Sequence, residues 1–220
     1  MKTLVGSFAL LFLGFGHVAC AGTIGQMFGF SPTGTQQLIL TIGGNQTLSA
    51  VSTGWWDNTG SSVAALNYGV GDGGNTTVDH HDFFVFDLAN VRGTITGAQL
   101  SIGNAANGYL PGVPQGISTF SMFDVTTSIA ALEAANTGQM AIFDDLASGT
   151  LFASRTVSAA DNGTQVLITL NANAIAALNA AEGGAFAIGG VLTNSTPEPG
   201  TVMLLGSALA GLLCLRRFVR

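Results

Sequence analysis

Apolar and polar residues alternate along much of this chain. In TQVLITL, Val166, Ile168 and Leu170 fall on one side, with Gln165 and Thr169 on the other. In GTITGAQLSI, Ala98, Leu100 and Ile102 repeat the arrangement. A period of two is that of an extended strand with one face buried. HDFFVFDL, GISTFSMFDV, GTLFASRTV and GAFAIGGVLT are short β-branched or aromatic runs bounded by Gly, Asn or Asp, and they read as further strands. TQQLILTIGGNQTL reads as two strands meeting at a Gly-Gly-Asn turn.

Two stretches leave this rhythm. TTSIAALEAANTG sets Ile129 and Leu132 three apart and stops at Gly138. NANAIAALNAAEGG does the same with Ile175 and Leu178, with Asn171 as its cap and Gly183 beyond its end. Each predicts a short alanine-rich helix on a connection. Short strands with turn signals about every dozen residues, plus two small helices, predict a mainly β fold. An antiparallel β-sandwich of jelly-roll-like form is the expected architecture.

The ends have a different character. MKTLVGSFALLFLGFGHVACAGT carries one charge at Lys2, an apolar stretch from Leu4 to Phe15, and Ala19 and Ala21 as a small-residue pair. That order predicts an export signal over 1–21, cut after Ala21 by signal peptidase. His17 stands three before Cys20, where a lipoprotein signal carries a bulky aliphatic, and this argues against lipid attachment. The expected domain is then 22–195, long enough for one core. Between Gly22 and Gly200, two arginines, Arg92 and Arg155, face all twelve acidic residues of the chain, a net of minus ten with no lysine. Nucleic-acid binders neutralise phosphates with many cations, so that class is excluded. Cys20 leaves with the signal and Cys214 lies in the apolar tail, so the domain is held by burial and not by a disulfide.

Candidate chemistry is sparse. No G-x-S-x-G elbow, phosphate loop, H-E-x-x-H or C-x-x-C pair occurs, and the only histidines beyond the signal are His80 and His81. In VDHHDFFVFD, Asp79 and Asp82 are candidate metal ligands, with Asp72 in GVGDGGN as a further oxygen. A single structural calcium stapling two loops is the one cofactor they suggest; otherwise none is expected. Neighbouring histidines on a strand point to opposite faces, and the plainer reading makes this segment the solvated lead-in to the strand Phe83–Phe86. In TGWWDNTG, Trp55, Trp56 and Asp57 are candidate sugar ligands, the rings for stacking and the acid for hydroxyls. Against that, one tryptophan of such a pair commonly anchors the core. Asp144 and Asp145 are the only adjacent acidic pair, and on a strand they would diverge, which disfavours a glycosidase pair. FFVFDLANVRGTITGAQLSI followed by FSMFDVTTSIAAL resembles jelly-roll modules of the carbohydrate-binding type on bacterial surface proteins. The resemblance implies a fold and transfers no binding residue.

The chain closes on STPEPGTVMLLGSALAGLLCLRRFVR. Val202 to Leu215 is a run of fourteen apolar or small residues. At ~1.5 Å per residue it reaches about 21 Å, short of the ~30 Å hydrocarbon core, so it crosses a bilayer only marginally. Arg216, Arg217 and Arg220 keep the C-terminus cytoplasmic and the domain outside. Pro197-Glu198-Pro199 holds the chain extended just ahead of the helix. Motif, short apolar helix and basic end in this order resemble the PEP-CTERM sorting signal. The resemblance implies recognition at Pro197, Glu198 and Pro199 by an exosortase of a Gram-negative cell, transient inner-membrane association, and delivery to the surface or to an exopolysaccharide and biofilm matrix. The expected role is a non-catalytic module that contacts polysaccharide or builds structure. An extracellular glycan hydrolase or lyase, and a permanently tail-anchored surface protein, are the alternatives.

Overall fold

The computed structural model describes residues 26–29, 36–65, 67–72, 78–111 and 117–194. The export signal over 1–21, Pro197, Glu198, Pro199, the transmembrane helix and Arg216, Arg217 and Arg220 lie outside the described residues. Among the described residues, no helix is long and apolar enough to cross a membrane.

The chain opens with β1 (Met27–Gly29), β2 (Gln37–Thr41), β3 (Asn45–Ser49), β4 (Ser52–Asp57), β5 (Ser62–Ala65) and β6 (Gly69–Gly71). It continues through β7 (His80–Asp87), β8 (Gly97–Gly103) and β9 (Ser118–Asp124) to two short helices, α1 (Ile129–Leu132) and α2 (Met140–Asp145). β10 (Leu151–Val157), a 3₁₀ turn (Ala159–Asp161), β11 (Gln165–Thr169), α3 (Ala172–Ala180) and β12 (Ala185–Asn194) complete it. Strand pairing is antiparallel throughout the described residues and builds two sheets. The larger runs β1-β6-β7-β12-β9-β10, with β4 also paired to β7 and β5 to β4; the smaller runs β11-β8-β2-β3. The expected mainly β, antiparallel architecture with few helices is what the chain forms.

Alternation decides what each strand buries. Leu38, Leu40, Leu100, Ile102, Val166 and Ile168 come from the inner face of the small sheet. They share one cluster with Phe84, Phe86, Phe120, Met122 and Ile188 of the large sheet. The odd residues of β7 face the other way: Phe83 and Val85 join Trp56, Leu132, Ile142, Phe143 and Leu146 in a second cluster under α1 and α2. Strand β7 is therefore covered on both faces, which is why its sequence reads as a nearly continuous apolar run.

The β2–β3 hairpin turns at Ile42-Gly43-Gly44, where Gly43 takes φ 65° and the Ile42 N–H donates to the Gly44 carbonyl at 2.7 Å. β3 then passes through Ala50 and Val51 into β4, carrying the chain from the small sheet to the large one. Asn171 caps α3 as its sequence predicts, accepting from the N–H groups of Asn173 and Ala174. Helix α2 was not expected, so Asp144 and Asp145 sit on a helix and not on a strand. Burial explains it: Ile142 and Leu146, four apart, fall on one helical face and fill the second cluster. In the 3₁₀ turn, Asp161 completes a capping box with Ser158 and binds the Arg155 guanidinium at 2.7 Å.

Candidate functional site

Strand β4 divides the tryptophan pair. Trp56, opposite His81 in the pairing with β7, is fully buried and donates its indole N–H to the Leu132 carbonyl at 3.0 Å. Its ring is a strut between the large sheet and α1. Trp55, on the other side of the strand, is half-buried and edge-on to the His80 ring at 6.1 Å. Asp57 turns back on its own loop, where one oxygen accepts from the Thr59 N–H at 2.8 Å, the Thr59 hydroxyl at 2.6 Å and the Ser61 N–H at 3.0 Å. Burial draws this carboxyl up, but those bonds outweigh it and hold it below the ordinary value. Trp55, Trp56 and Asp57 thus do not converge on one surface.

Strand β7 separates the acids as well. Asp79 lies on the His81 side, its carboxylate 3.8 Å from the imidazole Nε2. His81 donates Nδ1–H to the Phe143 carbonyl at 2.7 Å and stacks on the Phe143 ring with centroids 3.7 Å apart. Burial lowers its pKa, partly offset by the Phe143 bond and by Asp79. Asp82 points the opposite way, into the space between the sheets. It is 0% exposed, neither carboxylate oxygen meets a donor, and burial pushes its pKa well up. Its cross-strand neighbour on β12 is Gly190, and a Cβ there would strike the Asp82 carboxylate and the Phe120 ring. Among the described residues, no group of three or more His, Cys, Asp or Glu side chains converges to hold a metal ion.

An open groove of about 470 Å³ runs between the end of β9, the start of α1 and α3. Phe152, Phe186 and a set of alanines line it, with Thr127, Ser128 and Asp124 as its polar rim. Asp124 accepts from the Thr150 N–H. Nearby, Asp145 accepts from the Thr126 and Thr127 N–H groups at 3.0 and 2.8 Å and from the Thr126 hydroxyl at 2.6 Å. These two acids thus hold together the connections at the ends of β9 and α2. Asp124 is the only acid in the groove's lining.

The outer face of the small sheet is the surface that motif reading passed over. None of β2, β3, β8 and β11 contains a charged residue, and most of their outward positions are amides or hydroxyls, broken by Ile39, the exposed Leu167 and two glycines, with Ser101 buried among its neighbours. In register, Leu167, Ser101, Gln37 and Ser49 form one row across the sheet, and Thr169, Gln99, Ile39 and Thr47 the next. Neighbours brace one another: Gln165 donates to the Ser101 hydroxyl at 2.8 Å and Gln99 to the Thr169 hydroxyl at 3.2 Å. The signal was present in the alternation, whose polar half holds Gln, Thr, Ser and Asn and no ionisable residue.

Residues 195–217 match the family model of the PEP-CTERM protein-sorting motif. No curated protein and no solved structure matches the chain. Pro197, Glu198, Pro199, Arg216 and Arg217 fall within the matched span. The chain thus carries a PEP-CTERM sorting tail, which marks it as an exosortase-targeted surface protein.

Proposed function

We propose that the protein is a non-catalytic component of an exopolysaccharide matrix, and that the uncharged outer face of the small sheet is its contact surface for neutral glycan. In this reading the 1–21 signal exports the chain, the tail holds it in the inner membrane until exosortase acts, and residues 22–195 are the working domain. That domain is read as a jelly-roll-like sandwich that needs no bound ion.

The charge-free face carries the reading. A neutral glycan presents hydroxyls that both donate and accept, and Gln, Asn, Thr and Ser side chains do the same. Carboxylates elsewhere keep the domain soluble and repel polyanions, so among glycans the neutral ones are those that can approach without opposition.

Titration calorimetry of the exported chain against a panel of neutral and acidic polysaccharides tests this. Binding to a neutral glycan is expected to persist in a chelator and to be insensitive to salt, and to weaken by about tenfold in Gln99→Glu, which puts a charge in the middle of the face that bound glycan would desolvate. Reducing ends or unsaturated sugars appearing during the titration would instead establish the hydrolase or lyase reading. No binding across the panel would remove the glycan reading altogether. An intact mass beginning at Gly22 and ending near Pro199 is expected for the exported chain; one that retains Arg220 would mean a permanent tail anchor.

A further inference from the structure

We propose that the outer edge of β3 pairs antiparallel with the same edge of a second copy of the chain, joining two four-stranded sheets into one continuous sheet. β3 ends the small sheet, and among the described residues its only strand partner is β2. Two backbone bonds bracket their ladder, Ala50 N–H to the Gln36 carbonyl at 2.9 Å and Ile42 N–H to the Gly44 carbonyl at 2.7 Å. Antiparallel alternation between these points turns the main-chain groups of Gln46 and Leu48 toward β2. Those of Asn45, Thr47 and Ser49 point away from the sheet, toward solvent.

The other terminal strands are covered. On β11 the Arg155 guanidinium donates to the Leu167 carbonyl at 2.6 Å. Asn171 bonds both the Phe152 and Leu151 carbonyls of β10, each at 2.8 Å, where a register shift already bends the strand. β1 is bridged by Leu110, and the Ser62 N–H of β5 is met by the Asn136 carbonyl at 3.3 Å. Proteins normally blunt such edges with charge, proline, a bulge or a cover. The stretch NQTLS of β3 has neither charge nor proline, and its pairing with β2 runs without a shift.

The occupant follows from charge and symmetry. Copies of a chain this acidic repel one another over most of their surface, and the small sheet is the place where that repulsion is absent. A basic partner would be drawn to the acids instead. Paired with itself about Thr47, β3 sets Asn45 opposite Ser49, Gln46 opposite Leu48, and Thr47 opposite Thr47. All are uncharged, the Asn45–Ser49 and Thr47–Thr47 pairs can hydrogen-bond across the strands, and a closed twofold axis relates them. Val51, 55% exposed at the corner beside this edge, adds an apolar contact. Five residues of pairing make a weak contact, and copies held by their tails in one membrane supply the concentration it needs.

Sedimentation velocity of the exported chain over a range of concentrations, with no polysaccharide present, tests the pairing. The expected result is a monomer–dimer equilibrium that Thr47→Lys shifts at least tenfold toward monomer and Thr47→Asn leaves in place. Far-ultraviolet dichroism and an unchanged melting temperature check that Thr47→Lys is folded. Oxidation of Thr47→Cys is expected to give a disulfide-linked dimer, whereas Gln165→Cys on the opposite edge of the sheet gives none. A chain that stays monomeric at every concentration, a dimer indifferent to Thr47→Lys, or growth beyond the dimer would overturn the proposal. Because no glycan enters, failure here leaves the glycan reading standing, and failure of glycan binding leaves this pairing standing.

Discussion

Two neighbouring tryptophans illustrate how much a single residue's setting decides. Truncating Trp56 removes a fully buried ring and orphans the Leu132 carbonyl, so Trp56→Ala is expected to cost about 3–5 kcal/mol in urea unfolding. Trp55→Ala, at a half-buried edge, is expected to cost about 1 kcal/mol or less. Asp82 makes a sharper prediction. Its folded pKa lies above the unfolded value, so its contribution is full below the ordinary carboxylate range and is lost as pH rises toward the folded value. His81 acts in the opposite sense: its folded pKa is lowered, so stability is lost as pH falls below about 6.5. The two oppose each other in mildly acid solution. The Asp82 part is expected to fall with rising pH by up to about 1.4 kcal/mol per unit, from the ordinary carboxylate range until the folded-state value is passed. Asp82→Asn, of the same shape over Gly190, removes that slope; a difference in stability between wild type and variant that stays constant from about pH 4 upward would contradict the assignment. Alternation foretold that His80 and His81 diverge, and the packing habit of tryptophan foretold that one of the pair anchors the core. Alternation did not place Asp82 in the interior, because a pattern of two cannot say that a strand is covered on both sides.

Elements were legible where one face alone is buried. β8, β11 and the β2–β3 hairpin follow their alternation, and α3 starts at its own cap. Asn171→Ala removes an acceptor for two N–H groups at the start of α3 and also frees the Leu151 carbonyl of β10. It is expected to lower stability by about 1 kcal/mol, read from the denaturation midpoint at unchanged slope. What escaped the sequence were elements that exist through their neighbours. Helix α2 has no side-chain cap at Gln139 and six residues held by Ile142 and Phe143 in the second cluster. β1 and β6 are three-residue strands that pair with each other and carry too little pattern to be read. β4 carries the aromatics and the acid that suggest sugar chemistry, but its period is too short to read as a strand, and its backbone pairs with β5 and β7.

For the whole molecule, the address was written more plainly than the task. Order along the tail is enough to read a sorting motif, since proline, apolar run and arginines act in linear sequence. A surface formed from four strands is assembled from positions far apart in the chain, and its lack of charge emerges only once they lie side by side. The scarcity of cations has a consequence beyond solubility. Arg92 and Arg155 are the sole points in the domain at which a trypsin-type protease can cut. Arg155 is fixed within β10, its guanidinium bound by Asp161 and by the Leu167 carbonyl. Arg92 lies in the turn after Val91 and folds onto the Ala89 and Val91 carbonyls. A protein sorted to the cell surface thus offers such enzymes one bond at a turn and one that opens only when the strand does.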